Sequence, residues 1–225
     1  MSVQQVVEKG AVVKTSRKPN FNLSDLPELL GGWELVAGVD EVGRGALFGP
    51  VVAAAVILPK SAFAELSAAG VRDSKQLSSY RRGKLAAQIQ AIALDWKIGY
   101  ASNQEIDQIN IFHASLLAMK RAVIKLNIQP ELCLVDGKWQ LPDLPIPQQN
   151  LVKGDEKSLV IAAASIVAKV WRDDLIIRLA AKYPAYNLTA NKGYGTAHHI
   201  LALQQHGPSR FHRRSFSPCR VDIKL

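Results

Sequence analysis

From Glu34 onward the apolar positions fall into two periods. Short runs rich in valine, alanine and aromatic residues cover 33–39, 50–58, 95–102, 131–135 and 149–152, and this pattern predicts β-strands. The first two, joined by a glycine-rich link, form a hairpin-like pair. Between the later runs the spacing lengthens to three and four. It predicts a helix at 78–94, opened by Ser78 or Ser79 as cap and crowded with Arg81, Arg82 and Lys84. A short helical turn follows at 103–108 and an amphipathic helix at 111–126. A long helix runs from 156 to 182, stopped by Pro184, and a last one covers 196–205. Strands alternating with helices argue for an α/β fold, a mixed β-sheet flanked by helices, with a small helical C-terminal extension. No internal repeat and no break into two large domains is visible.

Residues 1–32 differ from the rest of the chain. They hold Lys9, Lys14, Arg17 and Lys18, show weak periodicity and include Pro19 and Pro27, which predicts a basic, loosely ordered N-terminal extension before a domain at 33–225. Charge changes the picture next. Lys plus Arg number 28 against 19 Asp plus Glu, and the net charge of +9 favours a polyanionic partner, of which nucleic acid is the commonest. The same excess also fits an indifferent basic surface. Neither Cys133 nor Cys219 has metal-ligand or redox spacing, and Cys133 lies in an apolar run, as a buried thiol would. No secretory signal is visible. The apolar run 159–170 carries Ser165 and Lys169 and is far shorter than a membrane span, so the expectation is a cytoplasmic protein without membrane attachment, acting as a monomer.

Acids stand where three strand-like runs end: Asp40 with Glu41, Asp136, and Asp155. Strand ends line the ligand crevice of α/β folds. Adjacent carboxylates repel unless a cation lies between them, and oxygen ligands of this kind suit Mg²⁺ or Mn²⁺. Two such ions can activate water and stabilise the leaving oxygen of a phosphodiester. Any one of these acids alone reads equally well as a solvated turn residue. All of them at matching positions in a basic chain point to a metal-dependent phosphodiesterase.

Gly38-Val39-Asp40-Glu41-Val42-Gly43-Arg44-Gly45 closely resembles the opening motif of bacterial ribonuclease HII. Asp73-Ser74-Lys75, Val135-Asp136-Gly137 and Lys153-Gly154-Asp155 follow in that family's order. Then come residues 163–170 with Arg172-Asp173, Lys192-Gly193-Tyr194, His206-Gly207-Pro208, and the segment 212–216. The resemblance spans about 34 to 220 and implies an RNase H-like fold. It implies a Mg²⁺- or Mn²⁺-dependent endonuclease that cuts the RNA strand of RNA–DNA hybrids and nicks 5′ of single ribonucleotides in duplex DNA, leaving 3′-hydroxyl and 5′-phosphate ends. It places the metal-binding carboxylates on Asp40, Glu41, Asp136 and Asp155. It has the Gly43-Arg44-Gly45 backbone read the 2′-hydroxyl, and Tyr194 pack on the sugar of the following deoxynucleotide. The 2′-hydroxyl separates RNA from DNA, and glycine lets a backbone approach it closely.

Several residues keep two readings. Asp173 competes with Asp155 as fourth ligand, although an i,i+4 surface pair with Lys169 is its simpler role. Ser74, Lys75, Ser165 and Lys169 are candidate phosphate contacts; Ser74 and Lys75 fit a solvated turn as well, and Ser165 a small packing residue. Arg213 and Arg214 would grip the duplex backbone or be merely solvated. The histidines form no ligand spacing: His198 and His199 point in different directions, and His113 reads as packed. Trp33, Trp96, Trp139 and Trp171 read as core or surface-anchoring aromatics, not base-stacking platforms. A nuclease acting on plain DNA, such as a junction resolvase, and a non-catalytic nucleic-acid binder remain the alternatives.

Overall fold

The computed structural model describes residues 32–71 and 77–220. All of the expected N-terminal extension except Gly32, and the candidate phosphate contacts Ser74 and Lys75, lie outside the described residues.

The chain forms β1 (Val36–Val42), β2 (Val51–Ile57), a 3₁₀ turn at Lys60–Ala62, α1 (Phe63–Ala69) and α2 (Ser79–Ile92). It continues with β3 (Asp95–Ala101), α3 (Asn103–Ile124), β4 (Leu132–Asp136), β5 (Gln148–Leu151), α4 (Gly154–Lys157) and α5 (Leu159–Ala180). A 3₁₀ turn at Pro184–Tyr186 precedes α6 (Leu188–Asn191) and α7 (Ala197–His206). The strands form a mixed sheet of order β3-β2-β1-β4-β5, with β1–β2 and β2–β3 antiparallel and β1–β4 and β4–β5 parallel.

β2 reads as an unbroken apolar run because both of its faces are covered. Ala54 and Val56 face the layer that holds α5 and α2, while Val51, Ala53, Ala55 and Ile57 face α3. Two glycines set how closely those helices approach. A Cβ on Gly38 would lie 2.2 Å from the Val160 carbonyl on α5, and one on Gly99 would lie 2.1 Å from the Ala118 oxygen on α3. Any larger residue would force either helix off the sheet. A third apolar cluster joins the 47–48 segment to the C-terminal helices through Phe48, Ile176, Tyr186 and Leu188, so the predicted C-terminal extension folds back on the link between β1 and β2.

Two helix boundaries differ from the sequence pattern. The turn and helix expected at 103–108 and 111–126 are one element broken at Asn110 (φ 63°, ψ 167°), whose side chain accepts from the Phe112 and His113 N–H groups and caps the second half. The long helix expected from 156 is interrupted by buried Ser158, in extended conformation (φ −133°, ψ 124°). Its N–H donates to the Gly154 carbonyl at 2.7 Å and its carbonyl accepts from Ala162 at 2.9 Å, so hydrogen bonding continues through the break. The 60–69 helical segment carried too little polar contrast to be read from sequence.

Candidate active site

Parallel pairing of β1 with β4 opposes Val39 and Val135, so the next residues, Asp40 and Asp136, stand side by side on neighbouring strands. Glu41 follows Asp40, and single ligand oxygens of Asp40, Glu41 and Asp136 lie within 4.8 Å of one another. Asp40 is buried; its Oδ1 accepts from the Glu41 N–H at 2.7 Å, and its carboxylate is hydrogen-bonded to the Ser165 hydroxyl from α5. Asp136 Oδ1 accepts from the Gly154 N–H at 2.7 Å, which ties β4 to the turn that carries Asp155. Asp155 is buried outside the three-residue cluster, yet close enough for its charge to act on Asp40.

These groups destabilise one another's charges. Burial, then the Glu41 and Asp136 carboxylates, raise Asp40 well above the ordinary aspartate range. Glu41 is also raised, burial outweighing the Arg44 guanidinium 3.4 Å away. A hard divalent cation would reverse the repulsion, and a donor set made only of carboxylate oxygens fits Mg²⁺ or Mn²⁺. Asp173 pairs with Lys169 at 2.8 Å, and at 9% exposure this is a largely buried pair, not the surface pair its spacing predicted.

The cluster forms one wall of a cavity of about 410 Å³, lined also by Gly43, Arg44, Gly45, Ser165, Lys169 and Tyr194. The Tyr194 ring is half-buried between two cations, with Lys169 Nζ and Arg172 Cζ each 5.5 Å from its centroid. Nine of the residues singled out from sequence thus converge here, with Asp155 beside them.

Two arginines hold this wall from behind. Arg213 is fully buried and donates to three backbone carbonyls: Gly43 and Arg44 at 2.7 Å each, and Gly49 at 3.0 Å. Arg172, equally buried, donates to Phe48 and Lys192 at 3.0 Å and Pro50 at 3.1 Å. Arg213 therefore cannot grip a duplex as its arginine-rich surroundings predicted; Arg214 beside it is exposed. With the Gly43 and Arg44 carbonyls turned inward, the 43–45 turn presents its other face to the cavity. Gly43 is required for this, since at φ +90° a Cβ there would meet Arg172 Nε at 2.1 Å.

A second buried feature escaped sequence reading. The Ser209 N–H donates to His212 Nδ1 at 2.9 Å, His212 Nε2 and His199 Nε2 are 3.0 Å apart, and His199 Nδ1 lies 2.9 Å from the Tyr194 carbonyl. A carbonyl only accepts, so His199 carries its proton on Nδ1 and His212 on Nε2. Both rings are buried, and burial plus the neighbouring His199 pushes His212 down to about 4. An unfolded histidine takes up its proton near 6.5. The unfolded chain therefore binds more protons between pH 6.5 and about 4, and this ring's contribution to stability falls as pH is lowered through that window. ¹⁵N imidazole spectra are expected to show His212 neutral, protonated on Nε2, from pH 8 down to 5; a charged ring at pH 6 would refute the assigned chain. His113, expected to be packed, is exposed, as are Trp33 and Trp139.

The model of the family described as ribonuclease HII matches residues 37–219. The chain belongs to the ribonuclease HII family. Curated relatives agree: the ribonuclease HII of Trichormus variabilis is 65% identical over 189 residues, covering 84% of each chain. That of Nostoc sp. is 66% identical over 187 residues, covering 83% of each. Among solved structures, ribonuclease H2 from Pyrococcus horikoshii OT3 superposes with a TM-score of 0.70 at 28% identity, over 83% of this chain and 95% of that one. The RNase H-like fold expected from the sequence is thus observed. As a family member the protein is a metal-dependent endoribonuclease acting on the RNA strand of RNA–DNA hybrids. No described helix is long and apolar enough to cross a membrane.

Proposed function

We propose that the enzyme also nicks duplex DNA on the 5′ side of a single embedded ribonucleotide, leaving 3′-hydroxyl and 5′-phosphate ends, and so serves to remove misincorporated ribonucleotides. The observation that carries this is the sharing of one cavity by the carboxylate cluster, the 43–45 turn and Tyr194. Asp40, Glu41, Asp136 and Asp155 would hold two Mg²⁺ or Mn²⁺ ions. Such ions supply the Lewis acidity for phosphodiester hydrolysis, which then needs no protein nucleophile.

The chain's own groups do the positioning. The Ser165 hydroxyl orients the Asp40 carboxylate from α5. Lys169, held by Asp173, brings positive charge to the cavity for a substrate phosphate. The Arg44 and Gly45 backbone reads the 2′-hydroxyl, and Tyr194 packs on the sugar of the next deoxynucleotide. Gly45 supports this assignment, because its φ is not positive and a Cβ built there meets nothing within 4 Å. Neither strain nor packing explains a glycine at this position, whereas close approach of a ligand does.

The test is cleavage of a labelled duplex carrying one ribonucleotide, beside the same duplex without it, in Mg²⁺, Mn²⁺ or EDTA. Metal-dependent nicking just 5′ of the ribonucleotide supports the proposal; equal cutting of the all-DNA duplex would indicate a general DNA nuclease. Gly45→Ala is expected to leave thermal stability within about 0.5 kcal/mol, as for changes away from packed features, while reducing ribonucleotide-directed nicking on the order of 10-fold or more. Undiminished nicking by Gly45→Ala would remove the turn from 2′-hydroxyl recognition.

A further inference from the structure

A duplex substrate continues on both sides of the cut, so the site needs two arms. The described cavity provides one, with Tyr194 on its wall. At Glu41, Arg44 and Asp136 it adjoins a second cavity of about 320 Å³, whose lining includes these same three residues. Tyr194 is absent from that lining, and in its place stand Phe112, Trp139, Lys138 and Lys153.

Trp139 is the unusual member. It is 61% exposed in the link between β4 and β5. Leaving an indole in water forgoes the large gain that burying one brings. Yet the residue is held in place: its carbonyl accepts from the Asn150 side chain at 2.7 Å, and its ring meets Phe112 edge-on, centroids 5.6 Å apart at 82°. Lys138 is exposed, as is Lys153, whose side chain is 69% accessible and makes only a long 3.5 Å contact with Glu156. A fixed, exposed aromatic ring beside two lysines, continuous with a phosphodiester-cleaving site, has the chemistry of a single-strand track: a stacking surface for a base or sugar and cations for its phosphates.

We infer that this second cavity binds the cleaved strand on its 5′ flank, Trp139 stacking on a nucleotide upstream of the cut and Lys138 and Lys153 meeting the phosphates. The assignment of the flank depends on the function proposed above, which gives Tyr194 the 3′ side.

The experiment compares ribonucleotide-bearing duplexes that keep both flanks, keep only one or two nucleotides on the 5′ side, or keep only one or two on the 3′ side. For the wild type, 5′ trimming is expected to raise KM roughly ten-fold, about what stacking one base on an aromatic ring is worth. Trp139→Ala is expected to show that raised KM already on the full duplex and no further rise on 5′ trimming, with kcat affected far less. Its response to 3′ trimming should match the wild type's, and Trp139→Phe should restore most of the loss. The ring is exposed, so the variant folds, which a melting curve verifies. Normal KM for Trp139→Ala on the full duplex, or 5′ and 3′ trimming penalised alike in both proteins, overturns the inference while the nicking activity stands. Failure of the wild type to nick any ribonucleotide-bearing duplex overturns both.

Discussion

Asp40→Asn is expected to reduce metal-dependent cleavage on the order of 10³-fold while raising the melting temperature of the metal-free protein. The first effect follows from removing a buried oxygen donor from the centre of the carboxylate cluster, comparable to deleting one preorganised electrostatic group from a transition-state site. The second follows from the same geometry. Burial and the Glu41 and Asp136 charges hold the folded Asp40 carboxyl above its unfolded range. The folded state therefore binds the extra proton, and metal-free stability is lost as pH rises from the unfolded toward the folded pKa. Asparagine carries no charge and escapes that loss. Added Mn²⁺ should raise the wild-type melting temperature by mass action and the variant's much less. Thermal scans at pH 7 with and without metal, beside a cleavage assay, measure both effects. A variant less stable than wild type in EDTA would show that the Asp40 hydrogen bonds outweigh the repulsion.

Arg213→Met should cost about 3 kcal/mol, despite relieving the burial of one cation beside another. The side chain supplies charge-assisted hydrogen bonds to the Gly43, Arg44 and Gly49 carbonyls, each worth roughly 1.5–3 kcal/mol, and methionine leaves all three acceptors buried without that donor. For a domain of this size that is a fall in melting temperature of about 6–12 °C. Burial and the Arg172 charge pull the guanidinium down to about 9, so it remains charged at neutral pH and its fork stays fully engaged. Lysine presents a compact ammonium without that fork, and Arg213→Lys should recover only part of the stability. If the 43–45 turn reads the 2′-hydroxyl as proposed, nicking at 25 °C, where the variant is still folded, should drop on the order of 10²-fold, because the turn would be displaced by an ångström. A variant with normal nicking and a lowered melting temperature would confine Arg213 to stability.

What was legible in the sequence were properties carried by neighbours along the chain. β1 and β2 announced themselves by apolar runs, and Asp40, Glu41 and Asp136 by their place at strand ends. The ordered motifs brought in Tyr194 and the 43–45 turn. What was hidden depended on partners far away in sequence. Arg213 sits in a basic tail, and nothing local distinguishes a guanidinium aimed at solvent from one enclosed by carbonyls some 165 residues earlier. The His199–His212 chain needs helix α7 and the segment after it to meet. Ser158 breaks a helix whose period runs straight through it, because the turn before it is tied to Asp136. Trp139 reads from sequence as a core or a surface-anchoring aromatic, and only the position of its loop, which leaves it in solvent, decides between them.

The pairing of β1 with β4 has a consequence for synthesis. Val39 and Val135 lie nearly a hundred residues apart, with two strands and three α-helices between them among the described residues. β1, β2 and β3 pair in chain order and α3 packs on them, so this part can form while the chain is still being made. Until β4 emerges, β1 presents a bare edge, and Asp40 and Glu41 stand there without Asp136. Closing that long loop is the step that brings the three clustered carboxylates together, and Asp155, proposed as the fourth ligand, leaves the ribosome later still. A nascent chain thus carries no competent nuclease centre while its N-terminal half folds, and the onset of cleavage reports completion of the sheet.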